Sequence, residues 1–225
     1  MWQDFLQLIF PEYFLACQGP LERGEQHLCT SCRYSLPRYN LNQTELPELS
    51  QRFWGRLPLS HAWAYLKFSK GSRVQHLLHE LKYNNHPEIG QALGRFMGAE
   101  LASAGFGLDF DLIVPVPLHP DKLKKRGYNQ SDAFAEGLGE SLQTPWSEST
   151  LTRTAATETQ TRKKRYERWE NVGTRFQLTD QAEIANKKIL LVDDVVTTGA
   201  TLEACGQTLL QGQCQSVSLD TIAMA

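Results

Sequence analysis

The chain has 225 residues, of which 41% are hydrophobic and 21% charged, a composition typical of a globular protein with a substantial core. Its formal net charge of −2 creates no overall field that would attract nucleic acid. No apolar run is long enough to span a bilayer, and no basic residue precedes the apolar positions of the first ten residues. We therefore expect a cytoplasmic protein with no integral membrane segment and no secretory signal.

Residues 1–38 form a small module that contains three cysteines. Cys29 and Cys32 have the C-x-x-C spacing of a zinc knuckle, and Cys17 lies upstream. A structural zinc site normally has four protein ligands, so His27 or a water molecule would have to complete a site made by these cysteines. A bound Zn²⁺ and a site that holds no metal are both open interpretations of this pattern.

Residues 39–58 are polar and interrupted by proline, which predicts a linker. The domain that follows, residues 59–225, begins with alternating residues over 61–69 that predict a strand. Helical spacing then aligns a first apolar face, and Pro87 opens a second helix. The apolar face of the first helix comprises Val74, Leu77, Leu78 and Leu81. The second helix carries Gly90, Gly94 and Gly98 at every fourth position. That glycine spacing predicts close packing against another helix.

A basic segment follows the next predicted strand. Leu112–Val114 reads as a buried strand, which Pro115 and Pro117 end because proline cannot donate to a ladder. The residues beyond it form a basic loop that leads into a helix. This loop would lie at the carboxyl end of its strand, where an anion could bind. Lys124, Lys125 and Arg126 are the candidates, although a basic run is often only a solvated surface.

Residues 153–171, "RTAATETQTRKKRYERWEN", predict a mobile arm. Threonine, glutamine and basic residues dominate the stretch, and no apolar stripe appears before Tyr166 and Trp169. Such a segment has little apolar surface with which to anchor itself. The same basic residues would also suit contact with a single-stranded nucleic acid, whose affinity would fall steeply with salt.

Residues 187–210, "KKILLVDDVVTTGATLEACGQTLL", carry the most informative pattern. Ile189–Val192 predicts a parallel strand buried on both faces, and a helix is expected from near Gly199 to about Gly212. Between them, Asp193 and Asp194 end the strand, and the residues from Val195 to Thr201 form a loop at the positive end of the helix dipole.

This loop predicts a site for a ribose 5-phosphate group. Backbone N–H groups at the start of a helix bind phosphate, and two neighbouring carboxylates suit the adjacent hydroxyls of a ribose. The glycine patterns of P-loop and Rossmann nucleotide sites do not occur here. The structural alternative is that Asp193 and Asp194 only cap a turn while Thr197 caps the helix.

The stretch "ILLVDDVVTTGATL" resembles the phosphoribosyl pyrophosphate (PRPP) motif of type I phosphoribosyltransferases. Three more stretches, "DLIVPVPLHPDKLKKRGYNQS", "LTRTAATETQTRKKRYERWENV" and "HLLHELKYNNHPEIGQALG", are similar to the ComF/GntX-like competence branch of that superfamily. The resemblance implies an α/β fold with a parallel sheet and a zinc-ribbon-like N-terminal module. Members of this branch usually have two C-x-x-C pairs, whereas Phe14 stands where this chain would need the fourth cysteine.

The resemblance also implies roles for residues. PRPP would bind with Mg²⁺, and the arm residues Arg162, Lys163 and Arg165 would belong to a flexible loop that closes over it. Asp193, Asp194 and Arg126 are the candidate catalytic residues. The expected PRPP-binding residues are Asp193, Asp194, Val195, Val196, Thr197, Thr198, Gly199, Ala200, Thr201, Lys124, Lys125 and Arg126.

Two functions of different classes fit these residues. The first is an enzyme that transfers phosphoribosyl from PRPP to an unknown acceptor and releases pyrophosphate. The second is a non-enzymatic factor that senses PRPP or serves DNA uptake with the competence machinery, binding single-stranded DNA. Pyrophosphate release in the presence of an acceptor would distinguish them.

Overall fold

The computed structural model describes residues 29–40, 47–154 and 176–225. Cys17 and the arm residues Arg162, Lys163 and Arg165 lie outside these described residues, so the roles predicted for them stay predictions.

A four-stranded parallel sheet forms the centre of the domain, with strand order β1-β6-β5-β2. Its strands are β1 (Ala62–Lys67), β2 (Leu112–Pro115), β5 (Lys188–Val196) and β6 (Ser216–Met224). Two short strands, β3 (Leu151–Arg153) and β4 (Phe176–Leu178), form a separate antiparallel pair. The expected α/β fold with a parallel sheet is thereby confirmed.

Helices cover both faces of the sheet. They are α1 (Thr30–Ser35), α2 (Pro47–Gln51), α3 (Arg73–Tyr83), α4 (Pro87–Leu101), α5 (Pro120–Arg126), α6 (Gln130–Leu142) and α7 (Ala200–Gln211), and a π-helical turn (Ala102–Phe106) extends α4. None of the helices within the described ranges is long and apolar enough to cross a membrane.

Strand β5 separates two apolar layers. Its alternate residues Leu190 and Val192 face the layer formed with α3, α4 and α6, whereas Ile189 and Leu191 face the layer formed with α2 and α7. Both sets are buried, as expected of a parallel strand covered on both faces. Each fully buried apolar side chain contributes about 1.5–3 kcal/mol, so the two layers fix β5, and with it the residues that follow Val192.

Helices α4 and α6 pack closely, as the glycine spacing predicted. A Cβ atom at Gly94 would collide with the carbonyl oxygen of Phe134, and one at Gly137 would collide with that of Gln91. The two backbones therefore lie in contact, which sets the start of α6 at a fixed height above the sheet.

The segment predicted as a linker is structured over much of its length. Residues 47–57 contain helix α2 and the turn that follows it, and their side chains Leu49 and Phe53 are fully buried. Leu57 packs against Gly206 of α7, and Arg56 forms an ion pair of 2.8 Å with Glu203. These residues are therefore part of the packed domain and do not act as a spacer, although the outer domain boundaries stay a prediction.

Only residues 29–38 of the cysteine module lie in the described ranges. Cys29 is the N-cap of α1, and its sulphur accepts a hydrogen bond of 3.3 Å from the backbone N–H of Cys32. Both cysteines are buried against the core. Among the described residues no group of three or more metal-binding side chains occurs, and Cys17 lies outside them. The zinc site therefore stays a prediction.

Candidate functional site

The two adjacent aspartates lie inside strand β5, where the sequence predicted that they would follow it. The strand continues to Val196 because its partner β6 runs equally far, pairing Asp193 with Thr221 and Val196 with Met224. Val195 and Val196 therefore belong to the strand, and the buried side chain of Val196 points into the core. The turn itself is limited to residues 197–199.

Helix α7 begins directly after this turn, as predicted. Gly199 has a φ of 81°, a left-handed conformation that favours glycine, and Thr198 Oγ1 accepts a hydrogen bond of 3.4 Å from the N–H of Ala200. The N-cap is Gly199, which makes no side-chain cap hydrogen bond, so Thr197 does not cap the helix. The other N–H groups at the start of the helix have no carbonyl partner within the helix itself. A small cleft, lined by Asp193 and the residues from Val195 to Leu202, joins the Asp193 carboxylate to these groups.

The turn is held from the other side by the segment that follows α2. Arg52 Nη1 donates a hydrogen bond to the carbonyl oxygen of Thr197, and its Nη2 donates one of 2.9 Å to the carbonyl oxygen of Ala225. Phe53 lies directly against Gly199. The turn is therefore fixed before any ligand arrives, since the Arg52 side chain bonds to Thr197 and the Phe53 ring packs against Gly199.

Asp193 is held by two hydrogen bonds to one oxygen. Its Oδ1 accepts from Ser131 Oγ at 3.0 Å and from the backbone N–H of Asp194 at 2.8 Å. Burial, and then the neighbouring charge of Asp194, raises the pKa of Asp193 to about 7, although both hydrogen bonds and the charge of Lys82 act in the opposite direction. Asp193 is thus a carboxyl group whose pKa lies near neutral pH.

Asp194 has a cationic partner that the sequence did not predict. Lys82 Nζ, at the end of α3, lies 3.0 Å from Asp194 Oδ2, and the two side chains are only 23% and 15% exposed. A lysine on the polar edge of an amphipathic helix is normally solvated, so nothing local marked it as a site residue. Ser131 was also missed, although it closes the "RGYNQS" stretch and could have been found there.

The basic segment is a helix and not the predicted loop. Pro120 opens α5, and His119 Nδ1 accepts a hydrogen bond of 3.3 Å from the N–H of Asp121. Lys124 and Lys125 are exposed, and no ion pair within the described ranges joins them to the aspartates. Arg126 is half-buried, donates a hydrogen bond of 2.6 Å to Gln130 Oε1, and lies 5.2 Å from the ring centroid of Tyr83. Of the three candidates, Arg126 is the one that the fold holds in place.

The "RGYNQ" residues tie this basic helix to the sheet. Tyr128 Oη donates to the carbonyl oxygen of Leu81, and Asn129 Nδ2 donates to the carbonyl oxygen of Val116 at 3.0 Å. Asn129 also bonds to Asp132 Oδ1 at 2.6 Å, and burial raises the pKa of Asp132 to about 7. These contacts fix the start of α6, which places Ser131 against Asp193.

The β3–β4 pair flanks the predicted arm of residues 153–171, since β3 ends at Arg153 and β4 begins at Phe176. Leu151 lies opposite Leu178 and Arg153 opposite Phe176, with the residues between 154 and 176 left to connect them. Leu151 and Phe176 are buried in the same layer as α7. The arm is therefore attached through a short antiparallel ribbon, whose Arg153 lies in β3.

Comparison with known proteins gives one family match and several relatives. The family model described as the phosphoribosyl transferase domain matches residues 125–223. DNA utilization protein YhgH of Escherichia coli K12 is 36% identical over 146 residues, which cover 64% of this chain and 63% of that protein. Competence protein F of Haemophilus influenzae is 26% identical over 219 residues, 93% of this chain and 95% of that protein. Competence protein ComFC of Bacillus subtilis is 36% identical over 112 residues, 49% of this chain and 43% of that protein.

Residues 125–223, which contain β5 with its carboxylate pair, match a phosphoribosyl transferase domain, and with the parallel sheet they give the chain an α/β phosphoribosyltransferase fold. The chain is similar to the relatives named for competence and DNA utilization. The match spans just under two thirds of the length of YhgH, the first of these relatives.

Proposed function

We propose that this chain binds PRPP together with Mg²⁺ and transfers its phosphoribosyl group to an acceptor, releasing pyrophosphate. One observation carries the proposal: the Asp193 carboxylate of β5, the turn at residues 197–199 and the start of α7 all line a single cleft. That cleft offers acceptors for sugar hydroxyls directly beside donors for a phosphate.

The ribose 5-phosphate half of PRPP fits the cleft group by group. The N–H groups at the start of α7, at the positive end of its dipole, bind the 5-phosphate. Asp193 and Asp194 accept hydrogen bonds from the ribose hydroxyls. Ser131 and Lys82 each hold one oxygen of a carboxylate, which orients the pair towards the sugar.

The pyrophosphate half would lie towards α5. Arg126 is already oriented by Gln130 and Tyr83, and its planar fork can bind two phosphate oxygens at once. Lys124 and Lys125 lie on the same exposed helix and would add positive charge around it. The leaving group would thus meet one fixed cation, Arg126, and two exposed ones before the bond at ribose C1 begins to break.

The residues present fit a Mg²⁺ ion that arrives with its substrate. Mg²⁺ keeps several water ligands and binds through substrate phosphates, so it needs no cage of protein side chains. Oxygen donors, among them the carboxylate of Asp193, line the cleft where the substrate would bring the ion. When bound with PRPP beside the carboxylates of Asp193 and Asp194, the ion would neutralise part of the charge on the leaving group.

The transfer itself would rest on electrostatic stabilisation. The negative charge develops on the departing pyrophosphate, so fixed cations stabilise the transition state more than the ground state. Arg126 is the residue proposed for this role, and the partly buried carboxylates would hold the ribose so that C1 faces the acceptor. The arm of residues 153–171 would close over the site and exclude water.

A pyrophosphate-release assay with PRPP and Mg²⁺ across a panel of bases and amines tests the proposal. We expect release that depends on one acceptor class and that falls at least about a hundredfold in an Arg126→Ala variant. Asp109→Asn, a change in an acid of the loop before β2, is the control and should leave the rate unchanged. PRPP binding without release for any acceptor would contradict the transferase and favour a PRPP sensor.

A second candidate function is favoured by the exposed basic surface of α5. Helix α5 buries none of its residues, and Lys122, Lys124 and Lys125 all lie in solvent. Relatives are named for DNA utilization and competence, so a single-stranded DNA partner is the alternative occupant of this surface. DNA affinity that falls steeply with salt and drops in a Lys122→Ala Lys124→Ala Lys125→Ala variant would support it. DNA affinity that these substitutions leave intact would exclude α5 as the binding surface.

A further inference from the structure

The ion pair between Lys82 and Asp194 differs from an ordinary surface salt bridge. Both side chains are mostly buried, so water and salt screen their interaction less than they would on the surface. Asp194 is also the direct neighbour of Asp193, and two adjacent carboxylates repel each other. The Lys82 ammonium offsets that repulsion at the position where the ribose hydroxyls would bind.

The residues on either side of Lys82, Leu81 and Tyr83, contact the part of the site that would bind the pyrophosphate. The carbonyl oxygen of Leu81 accepts the hydrogen bond of Tyr128 Oη. The ring of Tyr83 lies beneath the Arg126 guanidinium, 5.2 Å from it. Leu81, Lys82 and Tyr83, three successive residues of α3, thus contact both β5 and the residues at the end of α5 and just before α6.

Helix α3 is anchored well enough to keep this turn in place. Its apolar face, Val74, Leu77, Leu78 and Leu81, is buried in the core. At the other end of the turn, Asn84 caps the helix, since its backbone N–H donates to the carbonyl of Glu80 and its side chain donates to Glu80 Oε2 at 2.7 Å. The backbone of Lys82 and Tyr83 is therefore fixed relative to the sheet without help from a ligand, and the Tyr83 ring, 60% exposed, lies at the surface beside Arg126.

We propose that the last turn of α3 is a positioning element of the site: Lys82 holds the Asp194 carboxylate for the ribose, and Tyr83 holds Arg126 for the pyrophosphate. This inference rests on the proposed PRPP binding. Its two halves can be separated, because ribose 5-phosphate needs only the first contact whereas PRPP needs both.

Calorimetric titration with ribose 5-phosphate, and with PRPP and Mg²⁺, tests both halves. Lys82→Met keeps the length of the side chain but removes its charge, and we expect it to weaken both ligands about tenfold or more. Lys82→Arg should restore most of the affinity. Tyr83→Leu should weaken PRPP about two- to fivefold, the range of a cation–π contact, and leave ribose 5-phosphate unchanged. The control is Lys70→Met, at an exposed lysine just before α3.

A double-mutant comparison separates positioning from general stability. In an Asp194→Asn background, Lys82→Met should cause no further loss of affinity, because the group that it positions has lost its charge. A full additional loss in that background, or unchanged affinity in Lys82→Met alone, would overturn the inference. Equal losses for both ligands in Tyr83→Leu would overturn its second half. Wild-type protein that binds neither ligand would instead contradict the proposed function.

Discussion

Phe53 and Gly199 lie directly against each other, although one belongs to the turn after α2 and the other to the turn that precedes α7. A Cβ atom at Gly199 would lie 2.8 Å from Phe53 Cζ, and the φ of 81° already disfavours any other residue. The residues matched to the phosphoribosyl transferase domain begin at 125 and do not include Phe53. A segment outside the matched domain therefore shapes its candidate phosphate turn.

Gly199→Ala should be much more destabilising than Gly71→Ala. Gly71 has almost the same backbone angle, 77°, but open space around its Cβ position. Backbone strain alone should therefore cost Gly71→Ala about 1–2 kcal/mol of the free energy of unfolding. Gly199→Ala should cost about 1–3 kcal/mol more, because its methyl group meets the Phe53 ring. Urea denaturation of both variants measures the difference, and equal losses would show that Phe53 moves aside freely.

Asp193→Asn and Asp194→Asn should each weaken PRPP binding by about 1.5–3 kcal/mol, the range of a hydrogen bond to a charged group. The fold should survive, since neither substitution changes the volume of the side chain. Calorimetry measures the affinity, and Asp121→Asn is the control because the Asp121 side chain is 91% exposed on α5. Unchanged affinity in both site variants would remove the aspartates from the ribose site.

The raised pKa of Asp193 predicts how stability depends on pH. Its ordinary value is 3.8, whereas burial and Asp194 raise the pKa to about 7 in the folded protein. Between these values the unfolded chain releases a proton that the folded protein keeps, so the free energy of unfolding falls as pH rises. The contribution of Asp193 is full below about pH 4 and is lost as pH passes 7.

Asp193→Asn should therefore make this decline shallower. Asp132 also has a pKa raised to about 7 by burial, so part of the decline should remain in the variant. Urea denaturation at several pH values between about 4 and 8 measures the slope. A slope identical to that of the wild type would mean that Asp193 ionises in the folded protein as it does in the unfolded chain.

Purified protein should carry at most one zinc ion, bound by the cysteine module. Cys29→Ser should release the metal and leave PRPP binding largely intact, because Cys29 lies at the start of α1 and outside the cleft. Elemental analysis of unchelated protein gives the zinc content, and Cys214→Ser is the control at a cysteine near β6. Protein without zinc would indicate that the module has lost its metal site.

Limited trypsin digestion tests whether the arm closes over PRPP. Cleavage between Arg162 and Arg168 should slow when PRPP and Mg²⁺ are present, because the basic residues then gain an anionic partner that offsets the entropy of ordering. Ribose 5-phosphate, which lacks the pyrophosphate, should protect less. Protection by single-stranded DNA alone would assign the arm to a nucleic-acid surface.

The sequence by itself determined the elements that depend on local periodicity. The burial pattern of β5, the apolar face of α3 and the start of α4 at Pro87 agree with the structure, since each depends on neighbouring residues only. The aspartate pair and the following turn could also be recognised, because their chemistry is contiguous in the chain. Helices α2 and α5 escaped prediction because α2 is short and α5 buries no residue, so neither shows an apolar period.

Only the tertiary structure decided how the site is held together. Ser131 reaches Asp193, Lys82 reaches Asp194, and Arg52 reaches Thr197 from three separate elements. Each contact is made by a single polar side chain, and a single polar residue has the same appearance in a sequence whether it faces water or a partner. Their meeting depends on the packing of α2, α3 and α6 around β5, because burial in two apolar layers brings these distant polar groups to the same end of the sheet.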